Sequence, residues 1–127
     1  MKFKATLLVL VMAIAQLSFG QTINGTPIED IDAEYMMLVG AAKFLSNKVV
    51  VDVDFGQFQK FIDMSGDNLV RDENGKKVSF NSMIDALNFF ADYGYDLHDA
   101  YAITIGNQNV YHWVLKKYQI DIRLSTE

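Results

Sequence analysis

The segment Tyr95–Lys117 constrains the fold most, because it has the pattern of a β-hairpin that is apolar on both faces. Two stretches, Tyr95–Ile105 and Val110–Lys117, flank the turn residues Gly106-Asn107-Gln108-Asn109. We expect a two-residue turn at Asn107-Gln108. An antiparallel sheet with one solvated face normally alternates apolar and polar residues. A hairpin that is apolar on both faces therefore needs a cover on each of them.

The expected turn fixes which residues face each other across the hairpin. One face pairs Ile105 with Val110, Ile103 with His112, Tyr101 with Val114 and Asp99 with Lys116. The opposite face pairs Thr104 with Tyr111, Ala102 with Trp113 and Ala100 with Leu115. Small residues opposite aromatic ones suit cross-strand packing. The aromatic side chains of Tyr95, Tyr111 and Trp113 form a candidate interaction surface for a sugar or a peptide, and core packing is their alternative role.

A helix is predicted just before this hairpin, over Phe80–Tyr93. Its apolar stripe consists of Phe80, Met83, Ile84, Leu87, Phe90, Ala91 and Gly94, at helical spacing. A second, weaker apolar side carries Phe89 and Tyr93. Ser82 followed by Asp85 resembles a capping box, and Gly94 supplies a left-handed stop.

A second hairpin is predicted upstream of the helix. Its strands are Glu34–Lys43 and Lys48–Asp54, with a turn signal at Ser46-Asn47. The stretch Phe55–Val78 is interpreted as an excursion over the surface, with a turn at Asn74-Gly75. The fold class is therefore α+β, with two antiparallel hairpins in one four-stranded sheet and one main helix on one face. The strand order stays open.

A single helix covers only one face of such a sheet. The other face is left to one of four covers: the excursion Phe55–Met64, the lead-in Ile23–Ile31, a second copy of the chain, or a protein partner. Large exposed apolar patches are rare on monomers. Coverage from within the chain and a homodimer are the two leading interpretations.

The N-terminal twenty residues have the pattern of a cleavable export signal. Lys2 and Lys4 form a basic start, Ala5–Ala15 is an apolar run, and small residues end the segment at Gly20, before Gln21. A membrane-spanning helix needs about 20 apolar residues, roughly twice this run. We therefore expect cleavage between Gly20 and Gln21 and export to the periplasm or beyond in a bacterium.

The signal prediction divides the chain into four parts: a signal peptide at 1–20, a lead-in at 21–33, one α+β domain at 34–117 and a tail at 118–127. Of the 11 Lys and Arg residues, Lys2 and Lys4 would leave, so 9 would face 16 Asp and Glu, a net charge of −7. That balance argues against nucleic acid and anionic membrane surfaces as partners. The chain has no cysteine, so the core must stabilise the fold without disulfides.

The sequence has few candidate catalytic or metal-binding residues. Its two histidines, His98 and His112, are expected on opposite faces of the hairpin, roughly 17 Å apart by strand rise, so they cannot share a metal ion. Asp96 and Asp99 flank His98, so a His–Asp pair is conceivable, and a histidine at the rim of a sheet is the alternative. No catalytic residue, metal ligand or cofactor is predicted.

Parts of the chain resemble small bacterial proteins of unknown function. The run Phe80–Asn88, followed by Tyr93-Gly94-Tyr95-Asp96, resembles a Leu-Asn…Gly-Trp-Glu signature in which a helix ends at the glycine and a β-hairpin follows. The segments Val51–Gly56 and Gly106–His112 are similar to those of short exported bacterial proteins. The resemblance covers Glu34–Lys117. It implies architecture and export, and brings neither an activity nor site residues.

Three functions are consistent with these patterns. The first is an exported, non-catalytic binding or assembly module, with a homodimer or a protein as its partner. The second is a small hydrolase or isomerase that uses His98 with Asp96 or Asp99. The third is a carrier of apolar ligands, with a cavity lined by Met36, Phe90 and Tyr101 between helix and sheet.

Overall fold

The computed structural model describes residues 20–42, 46–57 and 68–118. In chain order the elements are β1 (Thr22–Ile23), β2 (Thr26–Pro27), a 3-10 turn (Ile28–Asp30), β3 (Tyr35–Ala42), β4 (Val49–Asp54), β5 (Val70–Arg71), α1 (Met83–Ala91), β6 (Tyr95–Ile105) and β7 (Gln108–Lys117). The α+β class is confirmed. Within these ranges, no helix has the length and apolar character needed to cross a membrane.

The main sheet has four antiparallel strands in the order β4-β3-β7-β6. Both predicted hairpins are present, and they join where β3 pairs with β7. Their strands differ from the predicted bounds by one or two residues at an end. On the edge of β4 that faces away from β3, two isolated bridges form, Val49 with Phe80 and Asp52 with Leu69. On its far side β6 pairs with no other strand among the described residues.

A second sheet corrects the prediction of a single one. It has three short strands in the order β2-β1-β5. The turn between β1 and β2 uses positive φ angles of 50° at Asn24 and 74° at Gly25, as a two-residue hairpin with this sequence favours. Ile23 pairs with Val70, and both side chains are buried. Part of the predicted surface excursion therefore belongs to the core, while residues 58–67 of it lie outside the described ranges.

The register of the β6–β7 hairpin is also corrected. The turn lies at Gly106-Asn107, one residue earlier than predicted, so each β6 residue pairs two positions earlier on β7. The observed pairs include Ile105 with Gln108, Ile103 with Val110, Tyr101 with His112, and on the other face Thr104 with Asn109, Ala102 with Tyr111 and Ala100 with Trp113. Gly106 adopts a φ of 62°, the conformation that the first residue of a type II′ turn requires. A two-residue shift leaves the side chains from Asp99 onward on their predicted faces.

Helix α1 begins later than its apolar stripe. Phe80 exchanges two backbone hydrogen bonds with Val49, at 2.8 and 2.9 Å, so its backbone is extended. The predicted cap is present: Ser82 Oγ accepts the Asp85 N–H at 3.1 Å, and Asp85 Oδ2 accepts the Asn81 N–H at 2.9 Å. Gly94, with a φ of 87°, allows the chain to reverse after the helix.

The predicted helix stripe is partly wrong. Met83, Ala86 and Phe90 are the helix residues that are buried, whereas Ile84 is 57% exposed and Ala91 is exposed as well. The helix is thus rotated about its axis toward the side predicted to be weaker. That side contributes Phe89, which makes edge contacts with Phe80 and Phe90 at centroid distances of 5.4 and 5.1 Å.

The core lies between α1, the small sheet and one face of the main sheet, the inner face. From the main sheet it contains Met36, Leu38, Val49, Val51, Val53, Tyr95 and Leu115; from the other elements it contains Ile23, Ile28, Ile31, Val70, Phe80, Met83, Ala86 and Phe90. The lead-in is thus part of the core through its isoleucines. This arrangement leaves the opposite face of the main sheet, the outer face, on the side away from the core.

Candidate functional site

The outer face is an apolar array with acidic margins. The strand registers align its residues in three rows from β4 to β6: Asp54, Met37, Val114 and Asp99; then Asp52, Val39, His112 and Tyr101; then Val50, Ala41, Val110 and Ile103. None of these residues belongs to the core cluster or packs against it. The face predicted to need a cover is therefore apolar in its middle and charged only at its edges.

Solvent reaches this face most freely along β6. Tyr101 is 47% exposed and Ile103 is 46% exposed, whereas the apolar residues of β3 and β7 on this face are half-buried. Every residue from Asp96 to Ile105 is exposed. Because side chains alternate between faces along a strand, β6 is open on both faces and along its free edge.

At the middle of the outer face, two rings stack. The rings of Tyr101 and His112 lie 4.9 Å apart between centroids and are nearly parallel, at 4°. His112 Nδ1 is buried, and no hydrogen-bond partner for it is present among the described residues. A buried polar atom without a partner costs free energy, so this position favours an additional polar contact.

The free edge of β6 presents backbone groups at alternate residues. The pair Ile105 and Gln108 closes the two-residue turn, so odd-numbered residues from 99 to 105 bond to β7. The N–H and C=O groups of Ala100, Ala102 and Thr104 therefore point away from the sheet. The Ala100 N–H is accepted by Asp99 Oδ1 at 2.8 Å, while among the described residues no bond from the Ala102 or Thr104 amide to a group outside the hairpin occurs.

A β-bulge places His98. The register shifts between Leu97 and Asp99, so His98 is the extra residue. Its ring meets the edge of Tyr35, an outer-face residue of β3, at a centroid distance of 5.5 Å. The predicted placement of the two histidines on opposite faces is corrected, because a bulge interrupts the alternation of side chains.

His98 also lines a cavity of about 360 Å³ at the end of the sheet. Its lining consists of Glu34, Asp96, Leu97, His98, Lys116, Lys117 and Tyr118. Lys116 Nζ lies 3.7 Å from Glu34 Oε1 and 5.3 Å from the centroid of the Tyr35 ring, and the neighbouring Tyr35 and then Glu34 raise the pKa of Lys116 above its ordinary value. This cavity offers convergent polar groups near a histidine.

The flanking carboxylates, however, bond to the backbone. Asp96 Oδ1 accepts the Leu97 N–H at 2.8 Å, as Asp99 Oδ1 does for Ala100. Within the described ranges, no hydrogen bond joins either carboxylate to the His98 ring. The same ranges contain no group of three or more His, Asp or Glu residues placed to hold a metal ion.

The three aromatic residues predicted as an interaction surface do not lie together on one exposed surface. Tyr95 is only 2% exposed, and its hydroxyl donates to the Ala33 carbonyl at 2.8 Å. Burial, and then the nearby Asp32 carboxylate, raise the pKa of Tyr95. Tyr111 and Trp113 lie on the inner face, half-buried, and pack against the core. Core packing, the alternative considered for them, describes all three.

The cavity expected of an apolar carrier is not formed by its predicted lining. Met36 and Phe90 are buried together in the core, whereas Tyr101 lies on the outer face. The sequence did contain a signal for the outer face, because Met37, Val39 and Ala41 alternate with buried residues along β3. Such alternation with apolar residues on both sides marks a strand whose two faces both avoid water.

The predicted cleavage site lies at the start of the described chain, and residues 1–19 lie outside it. The Gln21 carbonyl accepts the Ile28 N–H at 3.1 Å, and Gln21 Oε1 accepts the Tyr93 hydroxyl at 2.6 Å. Gln21 is thus bonded both to the 3-10 turn and to the residue that follows α1 by two positions. The chain matches no protein-family model, no curated protein and no solved structure.

Proposed function

We propose that this chain is an exported, non-catalytic binding or assembly module, and that its working surface is the outer face together with the free edge of β6. The observation that carries the proposal is the position of the core, which is closed against the inner face and leaves an apolar array on the other side. Binding is the function that such a surface supports best.

The size of the array suits an interaction surface. Four strands spaced 4.8 Å apart, each about six residues long with every second side chain on this face, span roughly 300–400 Å². That is the range of the largest apolar patch on an ordinary monomer, which is often functional. Removing apolar surface from water contributes roughly 25 cal/mol per Å². Covering most of this patch would therefore contribute several kcal/mol toward association.

An environment-sensitive apolar dye tests whether the outer face binds apolar groups. Val110→Asp introduces a charge in the middle of the outer face, whereas Ile84→Asp introduces the same charge on the exposed side of the helix. We expect Val110→Asp to lower the dye fluorescence at least about twofold and Ile84→Asp to leave it unchanged, with both variants folded by circular dichroism. Equal fluorescence from the two folded variants would contradict the proposal.

Export is the second part of the proposal. Cleavage after Gly20 would leave Gln21 at the new N-terminus with its contacts to Ile28 and Tyr93 intact. The test is the intact mass of the chain recovered from the periplasm of an expressing bacterium. We expect loss of residues 1–20, and retention of them in a Gly20→Leu variant, because the peptidase reads small residues there. Recovery of the full-length native chain in the cytoplasm would contradict export.

The rival function, a hydrolase or isomerase that uses His98 with Asp96 or Asp99, has the cavity around His98 in its favour. Against it, Asp96 and Asp99 each accept a backbone N–H through Oδ1, and among the described residues neither carboxylate is hydrogen-bonded to the imidazole, as a triad acid is. Turnover of model esters or amides by the native chain that His98→Gln abolishes would favour this rival over the binding module.

A further inference from the structure

We propose that the partner of this module is a second copy of the chain, joined through β6. Two β6 strands would pair antiparallel about a two-fold axis at Ala102, so that two four-stranded sheets become one continuous sheet. This inference rests on the proposed function, because it names the partner for the edge of the same surface. It is separate from the question of what binds the outer face.

Among the described residues the two edges of the main sheet differ, and only the edge at β6 is open. The edge at β4 is bridged by Leu69 and Phe80. The edge at β6 has no further strand among the described residues, and the strand runs for 11 residues. An uncovered edge strand of this length is a template for pairing with another chain. The fold therefore directs strand addition to β6.

The backbone of β6 is arranged so that it can pair with itself. Ala100, Ala102 and Thr104 point their N–H and C=O groups outward, as the closing pair of the hairpin dictates. With the axis at Ala102, that residue faces its own copy and Ala100 faces Thr104, so each outward donor meets an outward acceptor. The Ala100 N–H would exchange its bond with Asp99 for one across the axis.

The side chains agree with this register. On the outer face, Tyr101 of one copy lies opposite Ile103 of the other, and aromatic residues opposite β-branched ones are favourable cross-strand pairs. Asp99 lies opposite Ile105, so no carboxylate faces another. The stretch Ala100–Ile105 carries no charge and no proline, which is typical of segments that pair strand to strand.

Stacking the outer faces of two copies is the less favourable geometry. Asp52 and Asp54 line one margin of the face and Asp99 lies at the other. Two such faces placed against each other would bring acidic margins together around one rim, where like charges repel. Pairing through β6 instead leaves Asp52 and Asp54 at the two far ends of the joined sheet.

Disulfide trapping tests the pairing and its register. The chain has no cysteine, so a single cysteine substitution gives a chain with one thiol at a known position. In Ala102→Cys the two thiols would face each other on strands whose Cα atoms lie about 5.5 Å apart in a hydrogen-bonded pair, within disulfide reach. In Thr104→Cys they would lie more than about 14 Å apart, because the two positions are four residues apart along neighbouring strands.

We expect mild oxidation to cross-link most of the Ala102→Cys chain and at least tenfold less of Thr104→Cys. Equal cross-linking of both variants, or of neither, would overturn the register.

Light scattering provides the second measurement: the native chain should have twice the monomer mass. Ala102→Pro, which removes an outward N–H and keeps the bonds to β7, should dimerise at least tenfold more weakly, and the control Ala102→Val should behave like the native chain.

The outcomes for the dimer and for the proposed function are distinguishable. A native chain that is monomeric at high concentration, and still binds the apolar dye through Val110, overturns the dimer and keeps the binding module. The dimer is also overturned if the native chain forms a complex with a different protein and the Ala102→Cys chain forms no cross-link between two copies. Loss of the Val110 effect on dye binding overturns the proposed function itself.

Discussion

Gly40 of β3 lies directly beneath Met83 of α1. A Cβ built on Gly40 would overlap the Met83 sulfur and would come within 3.2 Å of Val49. The helix therefore approaches the sheet at the one position of β3 that has no side chain. This contact places α1 on the inner face, so the outer face is the one that has no helix packed against it among the described residues.

Gly40→Ala is expected to destabilise the fold by about 1–3 kcal/mol, because an added methyl group overpacks a closed contact. Urea unfolding measures this change in free energy. The control is a double-mutant cycle with Met83→Ala: the second substitution makes room, so the cost of Gly40→Ala should fall by more than half in that background. Strictly additive costs would show that the two side chains do not share the space.

Val50 and Val51 provide a matched comparison of the two faces. They are neighbours on β4, but Val51 is buried in the core and Val50 is half-buried on the outer face. Val51→Ala is expected to cost about 2 kcal/mol in the free energy of unfolding and Val50→Ala less than about 1, since only the first leaves a cavity. Chemical denaturation of both variants checks this, and equal costs would mean that the outer face is as tightly packed as the core.

The start of α1 depends on the reciprocal bonds of Ser82 and Asp85. Ser82→Ala removes the acceptor of the Asp85 N–H, and we expect a loss of about 0.5–2 kcal/mol. Ser82→Thr keeps an acceptor oxygen and should lose much less. Thermal unfolding followed by circular dichroism distinguishes the two. If both variants unfolded at the native temperature, the cap would contribute nothing measurable.

The raised pKa of Tyr95 predicts that the folded chain loses stability at alkaline pH. Its pKa is raised above 10.0 in the folded chain by burial and by Asp32, so the unfolded chain releases this proton first. The contribution of Tyr95 to the free energy of unfolding should therefore be constant below pH 10. It should fall as the pH rises from 10 toward the pKa of Tyr95 in the folded chain.

Tyr95→Phe removes the ionisable group and the hydrogen bond to Ala33. The variant should be about 1 kcal/mol less stable at pH 8, and its stability should fall less steeply than that of the native chain above pH 10. Tyr118→Phe, at an exposed position, is the matched control and should keep the native slope. Parallel pH profiles for the native chain and Tyr95→Phe would contradict the assignment.

Local patterns predicted the main sheet well. The β-branched run of β4, the positive-φ glycines and the apolar strands around Gly106 act over a few residues, and the structure has strands in those places. The turn position was predicted one residue late because the glycine, rather than the asparagine after it, takes the left-handed conformation. A shift of two in register kept the faces from Asp99 onward, so the main conclusion from the sequence was unaffected.

Longer-range features were not predictable from one sequence. Phe80 fits a helical stripe, but its backbone bonds to Val49, thirty-one positions earlier, and this tertiary contact delays the helix. The second sheet joins Ile23 to Val70 through only two-residue strands, too short for a period to appear. The bulge at His98 changed the predicted side of a candidate residue, since no local composition marks an extra residue in a strand.

The central claim is that one face of the main sheet is closed by the core while the other presents apolar side chains to a partner. Thiol labelling tests this most directly, because Leu38 and Val39 are neighbours on β3 that lie on opposite faces. We predict that a thiol-reactive dye labels the folded Val39→Cys chain at least about 100 times faster than the folded Leu38→Cys chain, whose labelling requires opening of the core. Labelling of both chains at the same slow rate would contradict the claim.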